Sequence, residues 1–358
     1  MEQYRVYDRN TLDYVDGGVI RDYTVDFDYL SNNASTITLP DETYAKKGDI
    51  VVALSGIDKI FMGCITAVDN TKKTISFKHM KELFNDSVLN IFKYTGILGY
   101  KFDAVEAVYE IIRTAFIDTA DVKKKLPLVL EKRGSATGAV WTEDNDTINV
   151  LDFIQWVFDG QNVYLDFDID FSLNKIRCLI VKNTVSGYVI KDNIKLSEPT
   201  FDKNELPSHN KAIVYNKETG SIYGTYYLLD NNTVTTSATN SRRILPTQTK
   251  YIEYEPDDEN TTFTALEVAT SELKGNVYNH CIQYRLAKEQ NLVKAKTFNY
   301  GDGVTIVYNE REYNSIFTGL KYNSKDPYYT CYFGKTRIDF TDRLKQFIDK
   351  KYRKKGGG

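Results

Sequence analysis

Two stretches of the 358-residue chain match when laid side by side. The first runs Lys47-Gly48-Asp49-Ile50-Val51-Val52, then Phe61-Met62-Gly63, then Thr74-Ile75-Ser76-Phe77-Lys78. The second runs Tyr300-Gly301-Asp302-Gly303-Val304-Thr305-Ile306, then Phe317-Thr318-Gly319, then Tyr329-Thr330-Cys331-Tyr332-Phe333. Each has a Gly-Asp turn feeding a strand, an aromatic-x-Gly in the next strand, and a turn into a third. The spacings from Gly48 to Gly63 and from Gly301 to Gly319 are 15 and 18 residues. A glycine inside a strand marks a bulge or a sharp bend, which a small barrel needs at its corners. Gly48, Gly63, Gly301 and Gly319 are therefore read as the structural glycines of an internal repeat, and two related small β-barrels are expected.

The rest of the chain fits around that pair and predicts an α+β protein, mainly β. Residues 1–95 read as the first β-barrel domain, with short β-branched and aromatic runs at 4–7, 19–27, 36–39, 49–54, 59–68 and 73–77. Residues 96–190 read as an α+β insert domain. Asp103 stands three before Glu106, a capping-box spacing, and Val105, Val108, Ile112 and Phe116 follow at helical intervals. A second helix is expected over 150–158, stopped by Asp159-Gly160, followed by strands at 162–167 and 175–182. Residues 191–340 read as the second barrel domain, with one inserted helix opened by Thr264 and Glu267 and lined inside by Leu266, Ala269 and Leu273. The Asn/Thr/Ser-rich run 230–241 reads as a mobile loop. Residues 341–358 should form a C-terminal helix with a basic tail.

Composition narrows the function. Aromatic residues make up 13 %, with 27 Tyr and only 2 Trp, a bias toward pleated, half-buried surfaces. The net charge of −3 gives no basis for general polyanion binding. The N-terminus lacks a signal-peptide core. The greasiest window, 51–68, is broken by Gly56, Asp58, Lys59 and Gly63, so no membrane insertion is expected. Cys64, Cys178, Cys281 and Cys331 form no CxxC pair and read as reduced core residues.

The search for chemistry yields no catalytic, cofactor-binding or metal residues. His280-Cys281 is the one close His/Cys pair, and neighbours on a strand point to opposite faces, so Cys281 reads as buried and His280 as exposed. Asp166, Asp168 and Asp170 alternate with apolar residues like a strand with one wet face. A calcium loop would need glycine and glutamate where Phe171 and Arg177 stand. Neither a phosphate-binding GxxxxGK[ST] nor a GxSxG elbow is present, Gly134-Ser135-Ala136-Thr137-Gly138 reading as a connector. The acidic run 253–259 and Lys123-Lys124-Lys125 read as solvated charge.

The layout resembles the baseplate or tail-tip hub proteins of long-tailed bacteriophages and prophages. Four places carry the resemblance: Gly48-Asp49 to Phe61-Met62-Gly63; the helical insert at 103–116 and 150–158 with the strand 175–182; Gly301-Asp302 to Phe317-Thr318-Gly319; and the run from Gly334 to Leu344. The resemblance implies a non-enzymatic homotrimer without cofactors. Two related barrels per chain would give a pseudo-sixfold ring joining the tail tube or a distal tail protein to a spike, fibre or lytic protein. Tape-measure protein and DNA would pass through its lumen. It also implies a place in the virion, at the tail tip, after assembly in the bacterial host cytoplasm. The competing expectations are a peptidoglycan or glycan hydrolase using two carboxylates about 5–10 Å apart, and a receptor-binding β module of the tail tip.

Overall fold

The structure is a computed structural model that describes residues 2–30, 33–85, 87–90, 101–140, 147–182, 188–191, 202–205, 209–254, 264–287, 298–308 and 310–335. The expected C-terminal helix and residues 255–259 of the acidic run lie outside them.

The fold is mainly β. Seven strands come first: β1 (Glu2–Tyr7), β2 (Tyr14–Val19), β3 (Asp22–Asp28), β4 (Ser35–Thr38), β5 (Ile50–Ser55), β6 (Asp58–Asp69) and β7 (Thr74–Lys78). The middle of the chain supplies β8 (Val88–Asn90), β9 (Lys101–Phe102), α1 (Ala104–Ile112), β10 (Leu128–Arg133), β11 (Ala139–Val140), β12 (Thr147–Asn149), α2 (Val150–Gln161), β13 (Val163–Asp170) and β14 (Lys175–Lys182). After these come β15 (Tyr188–Lys191), β16 (Asp202–Glu205), β17 (Lys211–Tyr215), β18 (Ile222–Leu228), β19 (Val234–Thr235) and β20 (Thr249–Glu253). The last elements are α3 (Ala265–Leu273), β21 (His280–Ala287), β22 (Gly303–Tyr308), β23 (Arg311–Asn323) and β24 (Tyr328–Phe333).

The repeat is present as topology. In the first unit the strands are ordered β3-β4-β7-β6-β5, with β1 laid against β5. In the second unit the order is β16-β21-β24-β23-β22, with β15 laid against β22. Each order is the same function of chain position. The flanking strand differs in sense, β1 being antiparallel to its neighbour and β15 parallel.

The sheets are not closed barrels. Both units share one open 13-stranded sheet, because β3 pairs with β23. The reason lies in strand length. At 13 residues β23 is long enough to pair with β22 through its first part and with β3 through its last part. The edge that would complete one barrel is therefore taken by the other unit. Residues from both units, among them Val25, Ile37, Phe77, Ile282, Phe317 and Phe333, fill one common core.

The rest of the stretch expected to form the second barrel makes a separate four-stranded sheet, β19-β18-β17-β20, with α3 on one face. Thr264 and Glu267 form the expected capping box. Val268, not Leu266, joins Ala269 and Leu273 inside, and Leu266 is 42 % exposed. Contacts tie the two ends of the 230–241 run together: Leu229 N donates to the Thr233 carbonyl, Asp230 N to that of Arg242, and the Arg243 guanidinium lies 3.9 Å from the centre of the Tyr227 ring.

The insert builds its core from α1, α2 and the sheet β10-β14-β13, and lays that core against one face of the first unit. Ile50, Val52, Met62 and Cys64 face the insert, whereas Val51, Ala53, Phe61 and Ile65 face the common core. A strand buried on both faces reads as an unbroken apolar run, which accounts for Ile50-Val51-Val52-Ala53. The Asp103 carboxylate accepts from Val105 N at 2.8 Å and Glu106 N at 3.3 Å, capping α1. Helix α2 passes through Asp159-Gly160 and ends at Gln161, because Asn162 takes the left-handed conformation (φ 54°) that stops it.

Candidate assembly surfaces and the joint between modules

The two Gly-Asp turns share a set of hydrogen bonds. Gly48 and Gly301 have φ of 99° and 78°, the region that favours glycine. Gly48 N donates to Ile65 O and Gly301 N to Phe317 O, both at 2.8 Å. Ile65 N returns a bond to Asp49 O at 2.8 Å, and Phe317 N to Asp302 O at 2.9 Å. The side chains of Asp49 and Asp302 each accept at 2.8 Å from the backbone three residues earlier, Lys46 N and Asn299 N. Both aspartates are buried, and burial raises the Asp49 pKa.

The same correspondence continues into the next strand. A bulge between Ile65 and Ala67 matches one between Phe317 and Gly319. At each bulge a threonine hydroxyl, Thr66 or Thr318, donates at 3.2 Å to a carbonyl of the neighbouring strand, that of Ser76 or Tyr332. The second glycines of the repeat are therefore not equivalent: Gly319 corresponds to Ala67, and Gly63 to Ser315. Each is small for a reason of its own. A Cβ on Gly63 would lie 2.4 Å from the Phe77 ring, and one on Gly319 would lie 2.9 Å from Asp28 Cα. The aromatic-x-Gly pattern therefore matches the two strands four residues out of structural register.

Three modules meet at Tyr29, just past β3. Its N–H donates to Thr318 O in the second unit at 2.9 Å, and its hydroxyl accepts from Leu165 N in the insert at 3.1 Å. Its ring lies 4.5 Å from Phe158, 5.2 Å from Tyr300 and 5.6 Å from His79, centre to centre. Lys81 Nζ donates to Tyr29 O and, at 3.1 Å, to Gln155 Oε1 of α2. Burial lowers the Lys81 pKa to about 8 and the His79 pKa to about 3. Phe27, Phe167 and Tyr300 complete the aromatic surroundings of His79. No sequence pattern pointed to this joint, since its residues are scattered along the chain.

The groups that suggested chemistry have structural partners. His280 is buried, against expectation, and shares a 2.7 Å hydrogen bond with Ser315 Oγ. All four cysteines are buried, and none is in a disulfide. Asp166 and Asp168 point to the wet face of β13, and Asp168 pairs with Lys59 at 2.6 Å. Ala136 N and Ser135 Oγ donate to Asp103, so the glycine-rich connector docks on the start of α1. An open concavity of about 440 Å³ lies at the end of the β3–β23 seam, lined by Asp22, Thr24, Asn323, Lys325 and Asp326. Its carboxylates are engaged, Asp22 with Lys325 at 2.5 Å and Asp326 with Arg285 at 3.0 Å. The hydrogen bond from Lys325 holds the Asp22 carboxyl below the usual carboxylate range. Among the described residues no cluster of His, Cys, Asp and Glu could hold a metal ion, and no helix is long and apolar enough to cross a membrane.

This arrangement is the fold of phage baseplate and prophage tail proteins. One similar structure is a chain of the phage P2 baseplate in its activated conformation with Ca, at 15 % identity, TM-score 0.51, covering 95 % of this chain and 100 % of that one. Another is the prophage tail protein gp18 from Listeria monocytogenes EGD-e, at 10 % identity, TM-score 0.53, covering 97 % of this chain and 98 % of the other. No protein-family profile and no curated protein matches the sequence.

Proposed function

We propose that the protein is a structural hub of a phage or prophage tail tip. Three copies would form a ring of six near-equivalent units, joining the sixfold tail tube to a threefold spike, fibre or lytic protein. The observation that carries this reading is the repeated meander: one strand order, one turn and one bulged strand occur twice in a single chain. A closed ring needs a heterologous contact that recurs around its axis. A unit copied within one polypeptide lets three chains supply six such contacts. The likeness to baseplate and tail proteins supports the same place in a virion. In this reading tape-measure protein and DNA pass through the lumen, and the lytic step belongs to a partner.

The test is the mass of the purified full chain in solution, with electron micrographs of the same sample. The expected result is a particle of three chains with an axial hole and sixfold-like outline at low resolution. A particle of one or two chains at every concentration overturns the proposal, as does hydrolysis of peptidoglycan by the chain alone.

A further inference from the structure

Among the described residues, the seam inside the chain has only one of its two symmetry-related copies. Within the chain, β23 of the second unit pairs with β3 of the first: Gly319 opposes Asp28, Leu320 opposes Phe27 and Lys321 opposes Asp26. The strand equivalent to β23 is β6, and the strand equivalent to β3 is β16. Among the described residues, Ala67–Asp69 of β6 pairs with β7 on one side and with no strand on the other. Similarly, β16 pairs with β21 on one side and with no described strand on the other.

We infer that these two open edges are partners, β16 of one copy pairing antiparallel with the last part of β6 in the next. The inference rests on the hub reading above and names the contact by which that ring would close. Its register follows from the pairings already present. Thr24 faces Thr36, which faces Ser76, and Asp202 faces Gln283, which faces Tyr332. Ser76 and Tyr332 are equivalent, because they oppose the bulge-flanking Ala67 and Gly319. Asp202 is therefore the counterpart of Thr24, and Asn204 that of Asp26. Carrying the internal seam across, Asp69 opposes Asn204 of the next copy and Val68 opposes Glu205. An unpaired strand edge is a template for another chain, and here the matching template sits on the same molecule. The occupant is a second copy of this chain because the contact already exists in it once.

Paired cysteines test the register. In the full chain, Asp69→Cys with Asn204→Cys is oxidised or treated with a short bifunctional thiol reagent. The four native cysteines are buried, which keeps the background low. A one-residue slip turns side chains to the opposite face, so Asp69→Cys with Lys203→Cys is the control. The expected result is a ladder of covalent dimer and trimer, formed at least tenfold faster than in the control or in either single variant. Rings of normal mass without faster cross-linking overturn this inference and leave the hub reading standing. A chain that stays monomeric throughout overturns both.

Discussion

The Lys81 ammonium rests 4.4 Å from the centre of the Tyr29 ring while donating to the Tyr29 carbonyl and to Gln155. One cation thus bridges the end of β3 and helix α2 in a place where water does not reach. Its folded pKa of about 8 lies below the ordinary 10.5. Between those values the unfolded chain holds a proton that the folded chain does not, so stability rises with pH across that window. Lys182 and Lys335 are depressed to about 8 as well, so the wild-type slope is shared. The Lys81→Met variant isolates one part: its stability gain from pH 8 to 10.5, measured by urea unfolding, should be smaller than wild type by up to about 3 kcal/mol. Equal slopes would remove Lys81 from the joint's electrostatics.

His79 makes the opposite end of the pH range informative. Burial holds it neutral, with a folded pKa of about 3 against an ordinary 6.5. Its contribution is present above pH 6.5 and fades as pH falls toward 3, because only the unfolded chain takes up the proton. Full protonation would cost roughly 5 kcal/mol. His79→Asn keeps an acceptor for Lys81 N, now bound by Nδ1 at 3.2 Å, but has no proton to gain. The variant should be less stable at pH 7 and flatter in its acid dependence. An acid limb as steep as wild type would contradict this.

Gly319 controls the seam. A Cβ there meets the Asp28 backbone at 2.9 Å, so Gly319→Ala should push β3 away from β23. A loss of about 1–3 kcal/mol is expected, in the range of overpacked cores. Hydrogen exchange should accelerate in β3 and in residues 319–323, and not in β17 or β18. Uniform acceleration would show a global effect instead.

Asp49 and Asp302 play the same part in separate turns. Each substitution to alanine leaves one backbone N–H without its side-chain acceptor, at a cost of about 1–2 kcal/mol. The effects should add in the double variant to within about 0.5 kcal/mol, as for distant sites. Strong coupling in thermal denaturation would mean that the turns communicate.

The sequence revealed the repeat because its turn is local chemistry: glycine at positive φ followed by an aspartate that caps its own turn leaves a recognisable pair of letters. The bulge is not local. It depends on which residue of β7 or β24 lies opposite, and Ala67 serves on β6 where Gly319 serves on β23, so the letters misled the register. Caps were legible for the same reason, as Asp103 and Thr264 demonstrate. The end of α2 was not, because Asn162 stops the helix while Gly160 merely rides in it. The pairing of β23 with β3 joins residues about 290 apart in sequence and could be found only in three dimensions. Tyr29, Lys81 and His79 stayed hidden for that reason too.

The apolar core of the insert packs on the first meander, whereas among the described residues it meets the second at single contacts such as the Lys335 ammonium on the Asp159 carbonyl. Ile50, Val52, Met62 and Cys64 are covered from behind, whereas across β22 the buried Val304 and Ile306 alternate with half-exposed Thr305 and Val307. In the hub proposed above, the late half should therefore yield before the early one under load, and a ring of three copies would carry three firm and three compliant sectors in alternation.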